Sequence, residues 1–240
     1  MNTTKTNSNW NTIYQLGAAA AICAVLMGVA EILITFLPGG NSTQETVVEW
    51  FHLFQEVPFM GLRNLGLLNI FLNTLAIFTY LALYGAHRKT AHKPFAALAA
   101  IISYLGIGVF FATNRAFAML GLSQQYAAAA SEVQRTILEA AGQALLSVGE
   151  SHSPGTFLAF FFAESAGVLI SYVMLRGEVF PKAAAYAGML GFSILLLFEF
   201  MASFFTNLSQ AAMLLAMAGG LLSMVWYILV ARRLFQIDSD

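Results

Sequence analysis

Long apolar runs alternate with short polar ones along nearly the whole chain. A bilayer core about 30 Å thick is crossed by about 20 apolar residues in helical form. Six stretches meet that length, at roughly 13–37, 62–84, 94–121, 156–175, 183–205 and from the 206–209 turn to about 230. The first run continues past Gly28-Val29-Ala30, so it predicts a span rather than a cleaved signal peptide. Pro38-Gly39-Gly40 is its expected stop.

Two further segments show a different period. Over 43–56, with Asn41, Ser42 or Thr43 as a cap, Val47, Trp50, Phe51 and Phe54 recur at helical spacing. Glu45, Glu49, His52 and Glu56 occupy the other face. Over 123–148, Val133, Ile137, Leu138 and Leu145 oppose Glu132, Arg135 and Glu139. Both predict amphipathic helices at the membrane surface. The expected fold is all-α and polytopic: a polar segment 1–12, one six-helix domain 13–234 and a tail 235–240.

Composition agrees with the pattern. The 240 residues are 59% hydrophobic and 10% charged, against about 25% charged in a soluble domain. A net charge of -1 leaves no basic field for nucleic acid. The lone cysteine, Cys23, forms no internal disulfide.

Lysine and arginine placement sets the expected orientation. Lys5, Arg88, Lys89, Lys93, Arg176, Lys182, Arg232 and Arg233 fall on one side, which is eight of 11. Arg63, Arg115 and Arg135 fall at or near the other. The reading is N-in and C-in, with both amphipathic helices outside and a cytoplasmic membrane as the location.

Segments 50–70 (WFHLFQEVPFMGLRNLGLLNI), 169–191 (LISYVMLRGEVFPKAAAYAGMLG) and 226–237 (WYILVARRLFQI) together resemble a family of bacterial multi-pass membrane proteins filed as domain of unknown function 4386. The resemblance implies six spans in a bacterial membrane and brings no reaction.

Charges inside hydrocarbon cost several kcal/mol unless paired or wet, so each is a candidate site residue. Glu31, Arg115, Glu164 and Glu199 are expected roughly 9–12 Å below the outer boundary at 1.5 Å per residue. Arg63 is placed at the outer mouth of the second span, with Asn69 and Asn73 below it. The seven predict a shared outer pocket in which Arg63 and Arg115 each pair with a glutamate. Asn69, Asn73, Tyr80 and Tyr84 share one helical face and form a candidate path inward. The same residues also suit plain helix–helix glue. The sixth span, without charges, is expected at the periphery or facing lipid.

Metal-ligation by Glu49, His52 and Glu56 is weak on spacing alone, because i, i+3, i+7 describes any solvated helix face. No HExxH, GxSxG, CxxC, P-loop or dinucleotide motif occurs. No span carries a histidine in this reading, and no helix breaks inside the membrane. No metal, cofactor or catalytic residue is expected. The leading expectation is small-solute binding or transport, with a proton-linked form. The alternatives are a structural, accessory or sensing protein, and a membrane enzyme acting on a lipid or amphiphile. Expected partners are the bilayer and a small solute or lipid, with a homo-oligomer left open.

Overall fold

The computed structural model describes residues 3–35 and 44–237. Among these there are ten α-helices and no strand: α1 (Thr3–Thr35), α2 (Val47–Glu56), α3 (Pro58–Asn64), α4 (Leu67–His87), α5 (Lys93–Thr113), α6 (Ala116–Ala127), α7 (Glu132–Gly149), α8 (Phe157–Gly177), α9 (Lys182–Phe204) and α10 (Ser209–Leu234). Six helical stretches are long and apolar enough to cross a membrane. They correspond to α1, α4, α5 with α6, α8, α9 and α10.

The six long helices close a ring in chain order. α1 packs on α4, α4 on α5, α5 on α8, α8 on α9, α9 on α10, and α10 returns to α1. Lipid tails are as apolar as leucine, so helices in a bilayer associate through close backbone approach. Small residues supply it here: Ala18, Ala21, Ala82, Ala99, Ala100, Ala166 and Ala185 are all buried in one core. Trp226, Val230, Ala231 and Leu234 of α10 belong to that core. The sixth span is therefore a member of the ring, and it is also the least buried of the six, with Met213, Leu214, Met217 and Leu221 exposed on its outer face as expected.

At one end of the ring, α2, α3, α6 and α7 pack on one another as a lobe. Its core is Val47, Trp50, Phe51, Phe54, Leu65, Ala116, Met119 and Leu146. Ser123 Oγ donates to the Phe51 carbonyl at 2.8 Å and Gln55 Nε2 donates to the Ser123 carbonyl at 3.2 Å. α2 starts with a capping box, in which Thr46 Oγ1 accepts from the Glu49 amide and Glu49 Oε2 accepts from the Thr46 amide.

Several expected boundaries move. The first helix begins at Thr3, so most of the polar 1–12 segment is helical. Its expected end near Leu37, the Pro38-Gly39-Gly40 stop and the Asn41, Ser42 or Thr43 cap lie outside the described residues. Within them, α2 is capped by Thr46. The second span starts at Leu67, not near 62, because Gly66 at φ +90° ends the separate helix α3. The third does not run unbroken to Gly121. Asn114 turns extended after α5, accepts from the Ala116 amide, and donates to the Leu65 carbonyl at 2.9 Å. The helices α5–α6 are thus discontinuous, against expectation. The 123–148 segment divides between α6 and α7, and α7 buries Leu138 and Leu146 while Val133 and Ile137 stay exposed. A histidine does occur in a span, His87 at the end of α4, its Nδ1 2.9 Å from the Leu83 carbonyl.

Candidate functional site

The polar residues of the lobed end divide into three groups. Glu31, near the end of α1, meets Arg63 of α3 at 2.6 Å. Arg63 also donates to Thr35 Oγ1 at 2.6 Å and to Asn64 Oδ1 at 3.0 Å. The Arg63 side chain is 8% exposed and that of Glu31 42%. A short, charge-assisted contact with a hydroxyl beside it ties the end of α1 to the lobe.

Arg115 sits at the α5–α6 break. Its Nη1 donates to the carbonyls of Ala112 at 2.7 Å and Asn114 at 3.3 Å. Its stem packs on Gly149. A guanidinium there satisfies the orphaned carbonyls and negative dipole end of α5. Among the described residues it pairs with no carboxylate, so only one of the two expected Arg–Glu pairs forms.

The third group lies between α8 and α9. Glu199 is 1% exposed, yet it is a carboxyl between phenylalanines in the last turns of an apolar helix. Its Oε2 lies 2.6 Å from Nδ1 of His152, and its Oε1 accepts from Ser203 Oγ at 3.1 Å. With Glu199 ionised, His152 Nδ1–H is the donor. The His152 side chain remains 37% exposed. It stands between the rings of Phe160 and Phe198, with centroids at 4.6 and 4.8 Å. Its φ of 57° is left-handed, which a non-glycine residue adopts at a cost. The loop is held in that shape locally. Ser153 Oγ and Thr156 Oγ1 both donate to the Glu150 carbonyl, at 2.7 and 2.9 Å. Partial burial pushes the Glu150 carboxyl above the usual carboxylate range.

Glu164 of α8 completes this group. Gly167 packs on Phe192, whereas Phe157 meets Phe200 and Phe204 edge to face. Glu164 therefore lies level with about Leu195, roughly one helical turn deeper than Glu199. Its Oε2 is sealed from solvent and makes no hydrogen bond among the described residues. Glu199, Tyr80 of α4 and Tyr227 of α10 are within electrostatic reach of it. Those groups belong to three other helices, and Gly167 and Ser171, at i+3 and i+7 on the same face of α8, are buried in the ring, which places Glu164 on its inner side.

Asn69 and Asn73 are half-buried on α4, and Asn73 Nδ2 donates to the Asn69 carbonyl at 2.9 Å. Below them the expected path narrows. Tyr80 is buried in the core, and Tyr84 packs against Trp10 with centroids 6.4 Å apart. The end of the ring away from the lobe is close-packed with side chains.

The structure thus brings Glu164 and Glu199 together, joins Glu31 to Arg63 elsewhere, and leaves Arg115 at a helix end. His152 was missed by sequence reasoning because it lies in a loop and its contact with Glu199 spans 47 residues. The only signal was a histidine just ahead of an apolar run that contains a glutamate. Among the described residues no three His, Cys, Asp or Glu side chains form a metal-binding group, so Glu49, His52 and Glu56 do not assemble one. No protein-family model, curated protein or solved structure matches this chain.

Proposed function

We propose that this protein binds and moves a small solute across a bacterial cytoplasmic membrane, coupled to protons, with its lobe outside. Glu164 is the central carboxyl. The observation that carries the reading is its hydrogen-bond-free, solvent-sealed Oε2 inside a ring of spanning helices. A carboxyl in that setting is costly to keep and marks a functional position by default. Close packing at the far end and half-buried asparagines near the lobe support access from the lobed side.

A second reading draws on Arg63 and Arg115. Both guanidiniums satisfy local partners and act as structural ties, which is what a scaffold would show. The enzyme reading is weaker. His152, Glu199 and Ser203 contain the residue types of a hydrolytic triad, but in the wrong order. The serine bonds the carboxylate, so these contacts do not prepare it as a nucleophile.

The test is flux in proteoliposomes, with an internal pH dye and a panel of amino acids, sugars, organic acids and amines. Solute-dependent proton movement should appear for one class and be abolished in Glu164→Gln. Glu164→Gln is close in shape, and its folding is checked by monodispersity in detergent. Undiminished flux in the variant, or none with any class in the wild type, would overturn the proposal.

A further inference from the structure

The contrast in exposure across one hydrogen bond is the unused observation. His152 keeps over a third of its side chain exposed, while Glu199, 2.6 Å away, is almost wholly buried. Glu164 lies about one turn further in. The three titratable groups form a descending series from the base of the lobe into the ring. We propose that His152 is the proton-uptake residue of the protein and that Glu199 hands the proton on to Glu164. This rests on Glu164 being the exchanging carboxyl.

The chemistry balances without a co-reactant. Water-borne H⁺ binds Nε2 of the His152 imidazole. The Nδ1 proton passes along the existing hydrogen bond to Glu199 Oε2, and the ring is left neutral as the other tautomer. Rotation of the Glu199 side chain between rotamers carries the proton the remaining turn, where its O–H transfers H⁺ to the Glu164 carboxylate. Glu199 returns as an anion, and proton exchange with water at the exposed side of the ring, giving up the Nε2 proton and restoring one at Nδ1, resets the tautomer from which it accepts again. In the position that faces His152, Ser203 Oγ donates to the second oxygen of Glu199.

The surroundings suit this role. Phe160 and Phe198 flank the imidazole, and Phe157 covers the neighbouring stretch of α9. Apolar walls favour a defined route over general leakage of water. Of the ionisable groups on the elements packed here, Glu199 of α9 contacts His152 and Glu150 is two residues back on its own loop, while Glu164 of α8 lies beyond Glu199 and the stem of Arg115, at the start of α6, packs on Gly149. Of these, Glu199 is the one that bonds the ring. His152 is held at φ 57°, a left-handed backbone that glycine and asparagine also adopt readily.

That backbone preference also supplies the variant. His152→Asn tolerates the left-handed conformation, and its side-chain amide still donates to Glu199, but it relays no proton. The measurement is a pH jump on the reconstituted full chain, followed by time-resolved infrared absorption of the protonated carboxyl band that Glu164→Gln removes. His152→Asn should slow the appearance of that band about 100-fold, the low end for a positioned proton-transfer group, with its final amplitude kept. Added imidazole should restore most of the rate. Glu199→Gln should slow it similarly and resist imidazole. A wild-type rate in His152→Asn, or no rescue by imidazole, would overturn the assignment. So would a Glu164 band that does not respond to the jump. Because no solute is needed, this result stands apart from the flux test: flux unaffected by Glu164→Gln defeats the transport reading, while a normal protonation rate defeats His152.

Discussion

Arg63 shows how a single side chain resolves an ambiguity that depth alone leaves open. Its guanidinium reaches Glu31 and Thr35 on the same helix, so removing it takes the partner from the Glu31 carboxylate, while the Thr35 hydroxyl keeps its bond to the Glu31 carbonyl. Because Glu31 is 42% exposed, screening weakens the pair. A double-mutant cycle of Arg63→Ala and Glu31→Ala, read by thermal unfolding in detergent, should give a coupling of about 1–2 kcal/mol. A coupling near zero would make Arg63 a donor to Thr35 alone. The sequence placed Glu31, Glu164, Glu199, Arg63 and Arg115 near one end correctly enough to suggest meeting. Equal depth carries no azimuth, however. Arg115 turns to the carbonyls of its own helix end, and the partner of Glu199 comes from a loop outside any apolar run. The residue that hydropathy discards as loop is the one that touches the most buried acid.

At the level of elements, hydropathy located every spanning helix to within a few residues at most ends, because the apolar run is itself the physical requirement. It failed at two breaks, between α3 and α4 and between α5 and α6. Both fall beside polar runs, Arg63-Asn64 and Thr113-Asn114-Arg115, too short to interrupt a hydropathy window. The first is made by Gly66, whose φ of +90° lets Leu65 bury in the lobe while α4 sets off anew. The second is made by Asn114, whose amide replaces the lost helical bonds and reaches back to Leu65. The two breaks therefore brace each other across a single hydrogen bond. Gly66→Ala should cost about 1–2 kcal/mol, since alanine is strained at that φ. Asn114 Nδ2 also stands 3.3 Å from where the new Cβ would sit. Hydrogen exchange should show the loss concentrated in α3 and α6. A uniform loss across the ring, or none, would mean that the breaks are independent.

For the whole molecule, the distribution of basic residues predicts which face meets the cytoplasm, and one labelling experiment decides it. With Cys23→Ser as background, Val133→Cys on α7 should react with an impermeant maleimide in intact cells, while Lys89→Cys between α4 and α5 should react only after lysis. The reverse pattern would invert the topology and move His152 to the cytoplasmic side. The closed ring has a consequence of its own. Each helix touches its predecessor in the chain, so the bundle grows by one stave at a time as synthesis proceeds, except at the final seam, where α10 meets α1. Until the last helix leaves the ribosome, the sides of α1 and α9 that α10 covers are without a protein neighbour, and Glu164 looks onto an open seam. Biogenesis must therefore carry an unpaired carboxyl in a half-built barrel, and the helix with no charge in its apolar stretch is the one that shuts it away.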